Sequence, residues 1–185
     1  MQDATRPYPL LEVYSAFADA CDDLHDLDRA NARLLESGWA KTTPGTAEPM
    51  GRLLSFLREQ ASKQFEAEGG TPLDPLTFTR SVKNRNLELM LQAVEIEGGV
   101  VNGCRMWDFT APKPSGQATL VELRAEAPTR VVDRDGLVVA EWAAEEALGR
   151  GSMQIVFIDD THEAAKLTGA AGLSFKSSFT RVNEE

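Results

Sequence analysis

The sequence has little of what specialised chemistry requires. It contains no Walker phosphate loop and no GxGxxG, GxSxG, HExxH or EF-hand pattern. The phosphate-cradling, nucleophile-elbow and metal-helix chemistries that depend on those spacings therefore lack their signatures. Cysteine is nearly absent: Cys21 and Cys104 stand alone and far apart, with no CxxC pair to suggest a redox motif or zinc ribbon. Apolar runs are short, the longest being stretches such as Leu137–Ala140 and Ile155–Ile158. Spanning a bilayer takes about 18 or more consecutive apolar residues, so membrane insertion is not expected. Positive charge is also scarce, with 19 Lys and Arg against 29 Asp and Glu and a net charge of −10. A protein that neutralises phosphates needs clustered cations, so nucleic acid is not an expected partner, and acidic membrane surfaces are disfavoured for the same reason.

What remains is the composition of a folded, acidic, soluble domain: 42% hydrophobic and 26% charged residues over 185 positions. A chain of that length buries roughly 70% of the surface its unfolded form exposes, so folding needs neither metal nor disulfide. One domain spanning residues 1–185 is expected, helical over about 8–68 and sheet-forming over about 76–182. The polar start Gln2–Pro7 fits a periplasmic or secreted protein whose signal peptide has been removed as well as it fits a cytoplasmic one.

Leu10, Val13, Tyr14, Phe17, Cys21 and Leu24 fall on one helical face, which turns Cys21 toward a core. The apolar positions Leu27, Ala30 and Leu34 lie about 100° further round, so a straight helix would not bury both sets. A break near His25–Asp26 follows. Asp26 is suited to cap a second helix running to Ser37, and Gly38 to end it in the left-handed conformation, with Trp39 plugging the turn. After the loop Thr42–Thr46, the spacing of Met50, Leu53, Leu54, Leu57, Ala61 and Phe65 predicts a third helix ending at Gly69-Gly70.

From Leu76 onward the apolar period shortens to two, with Pro72 and Pro75 at the boundary. Strands are predicted over Leu76–Val82, Asn86–Glu97, Val100–Thr110, Leu137–Ala143, Met153–Asp159 and Leu173–Val182. Gly98-Gly99 is placed as a hairpin turn, Ala118–Glu126 as a short helix or a strand stopped by Pro128, Asp133–Gly136 as a turn, and Thr161–Thr168 as a loop or one or two helical turns. Leu173–Thr180 alternates cleanly, the pattern of a strand with one wet face. By contrast Leu87, Leu89 and Leu91 oppose Met90, Val94 and Ile96, and Met153, Ile155 and Phe157 oppose Val156 and Ile158. Both faces of the sheet should therefore be buried at its centre. These patterns define an α+β fold: N-terminal helices packed on one face of an antiparallel sheet of about five or six strands.

Functional candidates are sparse. Cys21, His25, Cys104 and His162 make a Cys2His2 zinc site arithmetically conceivable, but such sites draw on two closely spaced pairs and the second pair here is far apart. The acidic run Asp22–Asp28 distributes its carboxylates round a helix end, as a solvated face does. Arg80, Lys83 and Arg85 cluster at a strand connection, and Arg105 shares a sheet face with Trp107 and Phe109. Arg105, Trp107, Phe109, Arg80 and Arg85 are therefore the candidate ligand-binding residues. That face needs a cover, either the Pro112–Pro128 connection, the sheet curling on itself, a twofold partner or a bound ligand, and a buried guanidinium there needs an anionic or carbonyl partner. Cys21 and Cys104 should approach each other and form a disulfide if the protein is exported.

The reading that follows is a non-enzymatic binding or interaction module without a cofactor, taking a small apolar or anionic ligand or a second copy of the chain on an apolar sheet face. A motif-less enzyme pairing Asp108 or Glu141 with Arg105 and a purely structural assembly role are the alternatives. Metal analysis of the purified protein is expected to give no stoichiometric zinc, with thermal stability unchanged in chelator; one zinc per chain would overturn that assignment.

Overall fold

The computed structural model describes residues 7–68, 70–114, 123, 124, 126–144 and 151–182, with backbone alone over 62–68. Three helices come first: α1 (Leu10–Cys21), α2 (Leu27–Glu36) and α3 (Pro49–Glu68), with the short strands β1 (Ala40–Thr42) and β2 (Thr71–Pro72) on either side of α3. Then follow β3 (Leu76–Val82), β4 (Arg85–Ile96), β5 (Gly99–Asp108), β6 (Arg130–Arg134), β7 (Leu137–Trp142), β8 (Ser152–Ile158), the short helix α4 (Glu163–Thr168) and β9 (Gly172–Val182). The sheet has nine strands in the order β1-β3-β4-β5-β9-β8-β7-β6, with β2 pairing β4, and every pairing is antiparallel.

The α+β class stands, but the expected five or six strands become nine. Two of the additions are very short, and their own sequences carry too few residues to show a period. The third, β6, emerges from residues read as the lead-in to a turn. Asp135 and Gly136 have φ of +50° and +82°, so they form a two-residue hairpin turn that lets Arg130–Arg134 pair with β7. The β4–β5 turn falls at Glu97-Gly98, with Gly98 at φ +79°, one residue earlier than expected. Lys83 and Asn84, both with positive φ, close the β3–β4 hairpin. The Ala118–Glu126 expectation lies mostly outside the described residues, which here include 123, 124 and 126 alone.

The helical half follows its local signals. Asp26 accepts hydrogen bonds from the backbone N–H groups of Asp28 and Arg29, capping α2, and Gly38 takes φ +86° just beyond its end. Buried Asn102 of β5 donates its side-chain amide to the Leu24 carbonyl at 2.7 Å, which fixes the break between α1 and α2 against the sheet. Trp39 is buried beyond α2.

Two apolar clusters flank the sheet. On one face α1 and α2 pack Val13, Phe17, Ala30 and Leu34 against Phe78, Leu89, Met106, Phe175 and Ile155. On the opposite face α3 packs Met50 and Leu53 against Met90 and Trp107, with Ala170 beside them. The expectation that all helices lie on one face is therefore corrected. The helical moment of α3 says that it has an apolar side but not which side of the sheet that side must meet. Trp107 is 5% exposed, as the need for a cover implied, and the cover is α3 together with the α4–β9 connection. In β8 only Met153, Ile155 and Phe157 are buried; Val156 and Ile158 are half-exposed, so its second face is wetter than the sequence suggested.

Cys21 on α1 and Cys104 on β5 are joined in a disulfide, Cα to Cα 5.7 Å, across a sequence separation of 83. Closing a loop that long removes conformations from the unfolded chain equivalent to about 4 to 5 kcal/mol in a chain-entropy model. Reduction, or the double change Cys21→Ser with Cys104→Ser, is expected to cost about 2 to 5 kcal/mol and lower Tm by on the order of ten degrees. Thermal unfolding with and without reductant, alongside thiol counting of the native and denatured chain, checks this; an unchanged Tm or free thiols in the native protein would contradict it.

Candidate functional site

The five candidate residues divide between the two faces of the sheet. Arg105 of β5 sits opposite Met90 of β4, and its guanidinium carbon lies 5.3 Å from the centroid of the Trp107 ring. Trp107 in turn stacks on Phe109, centroids 6.0 Å apart and planes at 7°, beneath α3. These three form one assembly. Arg80 and Arg85 lie on the α1 face, because Arg80 is in register with Leu87 and Arg85 with Val82. The structure does not bring them to Arg105.

Arg85 belongs to a buried knot built around Asp108, whose carboxylate is 0% exposed. Its Nε donates to Asp108 Oδ2 at 2.6 Å and its Nη2 to Oδ1 at 2.8 Å and to Thr110 Oγ1 at 2.7 Å. The Tyr8 hydroxyl donates to Asp108 Oδ2 at 3.0 Å, while the Thr110 N–H and hydroxyl both donate to Oδ1 at 3.0 Å. The Arg85 guanidinium also lies over the Tyr8 ring. A bidentate Arg–carboxylate pair with further donors is the form in which a buried ion pair is tolerated. It clips the segment preceding α1 onto the β4–β5 edge and leaves no acceptor position on Asp108 for acid–base work. Asp108 and Arg105 are not partners.

The second carboxylate considered, Glu141 of β7, is also engaged. One oxygen accepts from Gln154 Nε2 and the other from Arg130 Nη1 at 3.3 Å. Of the four soft metal ligands, Cys21 and Cys104 are consumed by the disulfide. The His25 ring lies on Phe179, centroids 3.9 Å apart, and His162 Nδ1 accepts from the Ala164 N–H at the start of α4.

Sequence reasoning missed a hollow on the α1 face. Among the described residues, a cavity of about 580 Å³ opens on the α1 side of the sheet, between the last turns of α1, the β8–β9 ladder and residues 123, 124 and 126. Tyr14, Phe17, Phe179, Met153, Leu123 and the disulfide sulfur of Cys21 give it apolar walls; Asp22, His25, Arg124, Glu126 and Ser177 supply polar groups. Arg124 is held in place by Trp142, 5.4 Å from the ring centroid, and by donation from Nη1 to Met153 Sδ at 3.0 Å. The cavity arises because α1 stops at Cys21 while β9 runs on to Val182. The early break in the helix was visible in the sequence; that the sheet continues past it was not. A smaller hollow of about 420 Å³ lies between α3 and β4, bordered by Leu54, Leu57, Leu73 and Val94.

Compared with known protein families, curated proteins and solved structures, the chain matches none. Its function therefore rests on the side chains themselves.

The chain has two tyrosines, Tyr8 and Tyr14, and both hydroxyls are pushed above the ordinary value of 10.0. Burial is the first cause for each; the Asp108 carboxylate adds to it at Tyr8, while Arg124 opposes it at Tyr14. A folded-state value above the unfolded one means the folded protein holds its phenolic protons when the unfolded chain releases them, so stability falls as pH rises above about 10. At pH 10 the native protein should show less phenolate absorbance near 295 nm than the denatured chain, which should be about half ionised. Phenolate appearing in the native protein at the same pH as in the denatured chain would contradict the burial of both groups.

Proposed function

We propose that this protein is a non-enzymatic binding module that holds a small ligand in the cavity beside the disulfide on the α1 face. The carrying observation is the combination found there: about 580 Å³ of space, aromatic and thioether walls at Tyr14, Phe17, Phe179 and Met153, and polar lining groups that include Asp22, His25 and Arg124. Small-molecule sites are concave, with apolar walls for contact and polar groups that fix orientation, and this lining supplies both. The ligand class that fits has a flat or branched apolar body and a polar end directed toward Asp22, His25 and Arg124. Saturation of Asp108 and Glu141 by their neighbours supports binding over acid–base chemistry. The Cys21–Cys104 bond supports residence in a compartment that oxidises thiols.

Ala18 lines the cavity from an exposed position on α1, so filling it leaves the core untouched. Ala18→Trp is expected to leave Tm within a degree or two of the parent while abolishing saturable binding of a neutral fluorescent probe such as N-phenylnaphthylamine. Binding that survives Ala18→Trp unchanged would assign the probe to the smaller hollow under α3 and reject this reading, as would the absence of saturable binding in the parent. Native mass spectrometry of protein purified from its source should further show a retained small molecule released on denaturation.

A further inference from the structure

On the face opposite that cavity, one cross-strand row of side chains is electrically unbalanced. Register places Arg105 of β5 directly across from Lys176 of β9, Lys176 across from Gln154 of β8, Gln154 across from Glu141 of β7, and Glu141 across from Arg130 of β6. At the β6 end the charges are matched, since Arg130 and Gln154 both donate to Glu141. At the other end two cations face each other. Directly opposed residues in a sheet stand with Cβ atoms about 5 Å apart, and like charges so placed destabilise the pairing.

Neither cation has an ion partner among the described residues, where Arg29, Arg33, Arg85, Arg124 and Arg130 all do. Arg105 has instead the Trp107 ring at 5.3 Å, a cation–π contact that does not use its N–H donors. Both side chains are only partly exposed, so water meets their needs incompletely. In a chain of net charge −10 with carboxylates to spare, pairing two cations with each other is the opposite of what stability alone would select.

We infer that Arg105 and Lys176 form a binding site for the oxyanion group of a small ligand, a carboxylate or a phosphate, seated between the two cations on the open part of this face. Arg105 supplies a planar fork of donors held against Trp107, and Lys176 supplies a point charge from the neighbouring strand. Burial lowers the proton affinity of both groups, and the Arg105 charge lowers that of Lys176 further, partly offset by Glu141. An anion between them offsets both effects by favouring the charged forms. The site is independent of the cavity on the α1 face: it shares no residue with it, and Ala18→Trp leaves it intact.

The test is thermal unfolding of the full chain with increasing inorganic phosphate or acetate, chloride being exchanged to hold ionic strength constant. At least one of the two should raise Tm along a saturable curve. Lys176→Gln keeps most of the side chain's length and removes its charge. It should weaken the apparent Kd at least tenfold, and without added anion it should unfold at or above the parent's Tm, because the repulsion with Arg105 is gone. Arg105→Lys, which retains the charge but not the fork, should weaken binding as well. Saturation by phosphate alone supports a phosphate-bearing ligand; saturation by acetate supports a carboxylate. A response that does not saturate, or that is the same in Lys176→Gln as in the parent, overturns the inference. So does a Lys176→Gln protein markedly less stable than the parent in the absence of anion, which would make Lys176 a structural residue.

Discussion

The β4–β5–β9 ladder is the constraint on which the rest of the molecule depends. At their centre these strands carry large apolar side chains on the α1 side, and at β4 and β5 on the other side as well, where Met90 and Trp107 are buried. Burying one such side chain is worth roughly 1.5 to 3 kcal/mol, so a sheet with apolar groups on both faces at its centre does not remain one-sided. It recruits α1 and α2 to one face and α3 to the other. Because α3 reaches only the half of its face built by β3, β4 and β5, the other half stays partly exposed, with Lys176, Gln154 and Glu141 beside Val139, Val156 and Ile158. That asymmetry produces a dry half with Trp107 and Phe109 and a wetter half with charges, meeting at Arg105.

The helices are tied to this ladder by a few long-range links. The Cys21–Cys104 bond joins α1 to β5, the Asn102 amide holds the α1–α2 break at Leu24, and the Asp108 knot anchors Tyr8 beside Arg85. All three rise from β5 on the same side, at alternate or nearby positions, as the period of two requires. Between these ties the helical layer is incomplete, and the cavity near Tyr14 and Phe179 occupies the gap. The β8–β9 ladder walls that cavity on the sheet side, whereas Arg105 of β5 belongs to the opposite face.

The two candidate sites differ in what they ask of a ligand. The α1-side cavity offers a hollow with aromatic walls and charges of both signs, whereas the Arg105–Lys176 pair offers positive charge alone. Under the two proposed readings, each face of one rigid sheet takes its own ligand. The sheet itself, fully paired from β1 to β6, provides that rigidity.

Local pattern alone determined much of the architecture. The 3.6-residue spacing of Val13, Phe17, Cys21 and Leu24, the Asp26 cap and the Gly38 terminus fixed two helices and the break between them, because capping and amphipathicity act within a few residues. The alternation in Leu173–Thr180 and the double apolar parity of β4 marked strands and foretold a covered Trp107. The pairing of Cys21 with Cys104 was also legible, since two core-facing cysteines in a small domain have few other places to go. What the sequence did not determine is what faces what. Which sheet face receives α3, that Arg85 closes on Asp108 while Arg105 does not, and that Lys176 lands opposite Arg105 all depend on strand order and register. Those are set by the total burial of the assembled sheet and by hairpin turns whose effect reaches far beyond the residues that form them. The charge row and the cavity are therefore properties of the tertiary structure alone.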